Sequence, residues 1–196
     1  MRPLPFPFRI GEGKSRILHI ESPGTGQEEE GLPDFGAWAM GEKRKRLILS
    51  EIYRFTRPCE DVFRLACPVK EDDWLPGWRE KREIVYSESG IAELGCVFRT
   101  KNLPHLMGPA TAVVNVYLPF EKLQYSVING KIVYQIQWDF KTLEAGCEVL
   151  LTRTWTALTL EAEEFLEELA RTGEKKAPPL FSLMEYYLTT GTMKKD

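Results

Sequence analysis

From Arg46 onward the chain alternates. Leu47, Leu49, Tyr53 and Phe55 are set against Ser50, Arg54 and Thr56, the period-two signature of a strand with one buried face. Pro58 sits where a helix can begin, since its fixed φ and missing N–H suit a first turn. Glu60 and Asp61 stand near the positive end of that helix dipole, and Val62, Leu65 and Ala66 share one side. Pro68 ends the segment, and Asp72 to Trp78 reads as a turn. Strand patterns follow over about 82–88, 94–100, 110–119, 122–129, 131–141 and 147–158. Asn129-Gly130, between two β-rich runs, predicts a two-residue hairpin turn with positive backbone angles. Thr159 predicts the N-cap of an amphipathic helix carrying Ala162, Phe165, Leu166 and Leu169. Gly173 and Pro178-Pro179 interrupt it. Leu180, Leu183, Met184, Tyr187 and Leu188 then give a second apolar stripe, so two helical segments or one kinked helix close the chain.

Residues 1–45 have a different texture, with prolines at 3, 5, 7, 23 and 33, seven glycines and the acidic run Glu28-Glu29-Glu30. They read as an extended arm, but Phe6, Phe8, Ile17, Leu18, Ile20, Phe35 and Trp38 are more apolar bulk than a solvated tail carries. One strand supplies a place for it. On 110–119, Ala112, Val114, Val116 and Leu118 form one face, while Val113 and Tyr117 make the other face apolar too. Something must cover that second face: the arm, through Phe6, Phe8, Ile17 and Leu18, or an identical subunit meeting it in a homodimer.

The chain has 196 residues, enough for one domain with a core, and 43% hydrophobic with 28% charged residues excludes a disordered or low-complexity protein. Lys and Arg total 26 against 29 Asp and Glu, with no long basic block, which argues against a nucleic-acid partner. Two histidines and four dispersed cysteines offer no zinc spacing, so no metal and no cofactor is expected. Cys59, Cys67, Cys96 and Cys147 read as buried small hydrophobes rather than a disulfide frame. The N-terminus lacks a signal peptide's apolar stretch, and no apolar run approaches the roughly 18 residues of a membrane span, so a cytoplasmic location is the default. A nucleophile elbow, a phosphate loop and a recognisable Cys–His spacing are all missing.

The stretch Cys67-Pro68-Val69-Lys70-Glu71-Asp72-Asp73-Trp74-Leu75-Pro76-Gly77-Trp78, then Tyr86-Ser87-Glu88-Ser89-Gly90 and Gly95-Cys96-Val97-Phe98-Arg99-Thr100, resembles bacterial SRPBCC proteins. This is the superfamily of START lipid-transfer domains, polyketide cyclases and the birch pollen allergen. Thr154 to Thr159 looks like its last strand running into the long helix, and Tyr187-Leu188-Thr189-Thr190-Gly191 resembles the helix end of some bacterial members. The resemblance implies an α+β helix-grip fold over residues 46–191: a seven-stranded curved antiparallel sheet wrapped around a C-terminal helix, preceded by the arm and followed by a tail at 192–196. It also implies an internal cavity without a shared catalytic motif.

Such a cavity is lined by one face of each strand. The inward sets are Tyr134, Ile136 and Trp138 on one strand, Val149, Leu151, Arg153, Trp155 and Ala157 on the last, and Leu49, Glu51 and Tyr53 on the first. The resemblance makes first and last strands antiparallel neighbours, and a register in which paired positions sum to about 204 sets Glu51 beside Arg153. That pair reads either as a device for orienting a polar head group or as a structural ion pair. With Tyr86, Phe98 and Tyr117, these residues give a candidate ligand-binding set of Glu51, Tyr53, Tyr86, Phe98, Tyr117, Tyr134, Ile136, Trp138, Arg153 and Trp155; no catalytic residue is assigned. Trp74 and Trp78 read as a cavity gate or as core anchors, His105 as a loop histidine that is neither base nor ligand, and the acidic face Glu161, Glu163, Glu164, Glu167 and Glu168 as solvated surface. Three functions are consistent with this: binding or carriage of a small hydrophobic molecule, a cyclase, aromatase or dehydratase acting on a polyketide-like or cyclic substrate, and a protein-interaction module of the chaperone-activating kind.

Overall fold

A computed structural model describes residues 16–21, 43–172 and 180–194. Eight strands form one antiparallel sheet: β1 (Arg16–Glu21), β2 (Arg46–Phe55), β3 (Arg82–Tyr86), β4 (Val97–Leu103), β5 (Gly108–Leu118), β6 (Lys122–Ile128), β7 (Ile132–Leu143) and β8 (Gly146–Ala157). Their spatial order is β1-β2-β8-β7-β6-β5-β4-β3. Helix α1 (Cys59–Leu65) follows β2, and 3-10 turns at Lys70–Asp73 and Arg79–Lys81 lead into β3. Helices α2 (Leu160–Thr172) and α3 (Leu180–Thr190) close the chain. The seven strands β2–β8 with these C-terminal helices make the helix-grip fold. The question of one kinked helix or two turns on residues 173–179, which lie outside the described residues.

Alternation decides which way each strand faces. Leu47, Leu49 and Phe55 on β2 are buried, as are Ile132, Tyr134, Trp138 and Phe140 on β7 and Val149, Leu151, Trp155 and Ala157 on β8. Their neighbours Ser50 and Thr152, whose hydroxyls lie 3.2 Å apart, face the other side. Helix α3 packs on the concave face through Phe181, which stacks on Tyr53 at 5.0 Å between ring centroids and meets Trp138 edge-on at 6.0 Å. At the start of α2, Thr159 caps as expected, its hydroxyl accepting from the Ala162 N–H at 3.2 Å. The acidic face of α2 draws surface ion pairs: Glu163 with Arg44, Glu167 with Lys45 and Glu161 with Lys131.

The structure departs from several sequence expectations, each for a local reason. Cys59 and Cys147 are joined in a disulfide between residues 88 apart in the chain, binding the start of α1 to the start of β8, while Cys67 and Cys96 are free and buried. The β2–β8 register pairs Leu49 with Arg153 and Glu51 with Leu151, positions summing to 202 rather than 204. In β5 the pairing with β6 shifts between Val114 and Val116. Beyond that bulge Tyr117 lies opposite buried Leu123 and packs on Phe63, while Leu118 is 50% exposed. The two-sided apolar look of 110–119 therefore comes largely from one extra residue that turns Tyr117 inward. The described part of the arm, β1, lies at the opposite edge, with β2, β8, β7 and β6 between it and β5. Phe6 and Phe8 lie outside the described residues.

The hairpin at Asn129-Gly130 is present, yet neither residue has positive φ. The Asn129 side chain shapes it instead: its Oδ1 accepts from the Lys131 and Ile132 N–H groups at 2.8 and 2.9 Å, and its Nδ2 donates to the Leu106 carbonyl at 2.7 Å. That last bond anchors the β4–β5 turn, residues 104–107, to the β6–β7 turn.

Candidate functional site

The concave face of β2, β8 and β7 holds a polar cluster within aromatic walls. Arg153 Nη2 donates to Glu51 Oε2 at 2.9 Å. The two are diagonal neighbours on one face, close enough for long side chains to meet although they are not direct cross-strand partners. Their side chains keep contact with solvent, 11% for Arg153 and 28% for Glu51, and Tyr53 and Ile136 beside them are also half-buried. A concave-face group that still reaches water marks where the interior opens.

Deeper in, Tyr134 stacks on Trp155 with ring centroids 4.6 Å apart, and His105 meets Tyr134 edge-on at 5.2 Å. The Trp155 indole N–H donates to the His105 carbonyl at 3.1 Å, fixing the β4–β5 turn over the concave face. Burial holds the His105 imidazole down to a pKa of about 4, and the nearby Arg153 charge adds to the effect. His105 is thus a neutral ring at neutral pH, bordering the cluster it was not expected to join.

Towards the other edge, Phe98 is buried and meets Tyr125 edge-on at 5.8 Å. Trp138 is 1% exposed. Its indole N–H is buried beside the Tyr125 hydroxyl. Glu71, on the 3-10 turn, is 4% exposed, and burial raises its carboxyl pKa to about 8, Arg82 opposing and Asp72 reinforcing the shift. Tyr125 is likewise pushed well above the usual phenol value, first by burial and then by Glu71. The short helical layer that carries Glu71 is held by indole anchors: Trp74 donates to the Leu65 carbonyl at 2.9 Å and Trp78 to that of Pro68 at 2.7 Å. These are structural roles rather than a gate.

Of the ten residues read as lining from the sequence, Glu51, Tyr53, Tyr134, Ile136, Trp138, Arg153 and Trp155 share the concave face of β2, β7 and β8, and Phe98 lies on β4 against Tyr125. Tyr117 packs on Phe63 of α1, and Tyr86 stands apart on edge strand β3, 58% exposed. Three further groups escaped the sequence reading. Tyr125 shares β6 with buried Leu123 and Val127, a period-two signal that was available. His105 and Glu71 lie outside strands, where period two says nothing. A separate open cleft of about 520 Å³ lies at the other end of the sheet, walled by Pro58, Cys59, Phe120, Leu143 and Gly146, and includes none of the ten. Among the described residues no group of His, Cys, Asp and Glu is placed to hold a metal ion, and no helix is long and apolar enough to cross a membrane.

No sequence-family profile and no curated protein sequence matches the chain. Solved structures do. Norcoclaurine synthase from Thalictrum flavum, in complex with dopamine and hydroxybenzaldehyde, superposes with a TM-score of 0.59 at 14% identity, covering 85% of this chain and 100% of that one. The truncated form of the same enzyme gives 0.58 at 16% identity over 76% and 97%. Protein MLL2253 from Mesorhizobium loti gives 0.51 at 13% over 72% and 96%. At such identities the likeness establishes the fold alone: the chain has the helix-grip fold.

Proposed function

We propose that the protein binds a small, largely hydrophobic molecule on the concave face of its sheet, beneath α3 and the turn at 104–107. The observation that carries this reading is the half-buried Glu51–Arg153 pair set among Tyr53, Ile136, Tyr134 and Trp155. Apolar walls that supply affinity, with a few placed polar groups that supply orientation, are the usual composition of a small-molecule site. The shared fold with norcoclaurine synthase, whose structure holds two small aromatic molecules, supports it at the level of architecture. A second reading, a cofactor-free cyclase, aromatase or dehydratase, is favoured by the buried Glu71 carboxyl, whose pKa of about 8 suits proton transfer near neutrality. Titrating a panel of fatty acids and polycyclic aromatics while following tryptophan emission tests binding: Trp138 and Trp155 line the site, so a bound ligand changes their fluorescence. Binding detected by calorimetry with no tryptophan response places the ligand elsewhere and refutes the site.

A further inference from the structure

The outward face of the sheet carries no charge across its middle. Leu47, Leu49 and the other buried strand positions point to the concave side. The alternate residues from Ile48 to Ile52 on β2, Leu150 to Thr156 on β8, Val133 to Gln137 on β7, Gln124 to Ile128 on β6 and Thr111 to Val113 on β5 therefore face the other way. None of these outward residues is charged in a chain that is 28% charged, whereas a sheet face that meets water normally carries its share. Six are aliphatic: Ile48, Ile52, Leu150, Val133, Val113 and Ile128. The rest are Ser, Thr and Gln, and Thr154 and Ser126 near the centre are each only 8% exposed. Helices α1, α2 and α3 bury their apolar side chains in the core on the concave side, so among the described residues no second layer covers this face.

Loss of charge at the centre of a broad face, with aliphatic side chains set among short polar ones, is the composition of an interface. Its electrostatics select the partner. An acidic or basic partner finds no countercharge on it, whereas a face that complements itself across a two-fold axis must lack a dominant charge. The border satisfies that condition: Arg54 pairs with Glu148 at 2.8 Å and Lys122 with Asp139 at 2.8 Å, cross-strand neighbours that neutralise each other within one chain. Size satisfies the other. Five strands at a spacing of about 4.8 Å, each contributing some seven residues at about 3.3 Å, make a face of roughly 24 by 23 Å, so two copies bury about 1,100 Å², just above the ~1,000 Å² of a specific interface. We infer that two copies of the chain associate back to back through this face, about a two-fold axis passing near Gln135. Gln135 is its midpoint: β7 is the central strand of the five, and the cross-strand partners of Gln135 are Thr154 and Ser126. The two concave faces then point away from each other and both stay open.

Sedimentation velocity of the full-length protein, from roughly 1 to 200 µM as a small interface demands, reads the pairing directly. A concentration-dependent passage from monomer to dimer is expected. A charge placed at Gln135 enters the dimer twice and meets its own copy, so Gln135→Lys and Gln135→Glu, the second of nearly unchanged volume, each weaken association by about tenfold or more. Far-UV circular dichroism and the Tm of the dilute protein stay those of the wild type. An equimolar mixture of the two variants re-forms the dimer, because opposite charges then face across the axis; damage to the fold would not be cured by mixing. Tyr86→Lys, on the exposed edge strand β3, leaves association unchanged. A wild type that stays monomeric throughout overturns the inference and leaves the face to another segment of the chain or to a different protein. Gln135 variants that dimerise like the wild type, a mixture that stays monomeric, or a dimer lost in Tyr86→Lys instead overturn it as well, the last by placing the contact at the sheet edge.

Discussion

Breaking the Glu51–Arg153 pair from either side should not cost the same, and the difference measures how the site is solvated. Removing one partner of a fully buried ion pair costs about 3–5 kcal/mol, whereas an exposed pair is worth about 0–1 kcal/mol. This pair lies between those limits and is lopsided, Arg153 being 11% and Glu51 28% exposed. In Arg153→Met the carboxylate recovers water readily, for a loss of about 1–2 kcal/mol. In Glu51→Met the less exposed guanidinium loses that carboxylate, for a loss of about 2–3 kcal/mol. In the double variant two apolar side chains replace two charges, and stability returns to within about 1 kcal/mol of the wild type, a coupling of roughly 2–3 kcal/mol. Urea unfolding followed by far-UV circular dichroism, with slopes checked for constancy, gives all four values. Equal single losses that add in the double variant would refute the argument, because they describe two independently solvated charges.

Other features give sharper stability signals. Opening the Cys59–Cys147 disulfide, by Cys147→Ala or by reduction, frees a long loop whose closure is worth up to about 4.6 kcal/mol on the chain-entropy account; a fall in Tm of roughly 10 °C is expected, and no change contradicts the cross-link. Gly146→Ala should be worse than an ordinary surface change, costing about 3 kcal/mol or more: φ is +121° and an added Cβ would lie 2.0 Å from the Phe55 carbonyl oxygen, so a wild-type Tm in this variant rules out the β8 start as described. The buried titrating groups act in opposite directions. Glu71, its folded pKa raised from 4.5 to about 8, withdraws stability as pH rises through that interval, whereas His105, lowered from 6.5 to about 4, withdraws it as pH falls from 6.5 to 4. Above pH 6.5 only the Glu71 contribution changes. Of these two groups, then, it alone governs Tm between pH 6.5 and 8: Tm declines in the wild type and stays flatter in Glu71→Gln, and identical slopes exclude a buried neutral Glu71.

What the sequence made legible was whatever period two and proline spacing encode. Leu47, Leu49 and Phe55, or Tyr134 and Trp138, announce an inward face because burial of one side is what alternation means. The Glu51–Arg153 contact, expected from the strand neighbours that the resemblance implies, survives the misjudged register, because a shift of two positions leaves both residues on the same face. Features that add or subtract a single residue were invisible. The β5 bulge reverses Tyr117 and Leu118, and no composition signal marks it. Nor does spacing show that Cys59 and Cys147 meet, since their proximity depends on how α1 returns to the head of β8. Glu71 directly precedes Asp72 to Trp78, which read only as a turn; Trp74 and Trp78 tie that turn to the end of α1 and the Pro68 loop, and Glu71 is buried within it.

Native mass spectrometry of freshly purified, full-length protein tests the central claim most directly, since a concave face built to hold an apolar molecule retains one through mild purification or accepts one from a supplied panel. The account predicts an adduct of small-molecule mass at one-to-one stoichiometry, displaced by a competing apolar ligand and weakened in Arg153→Met and Trp155→Ala. A bare protein mass under the same conditions, with no adduct from any member of the panel, would contradict it.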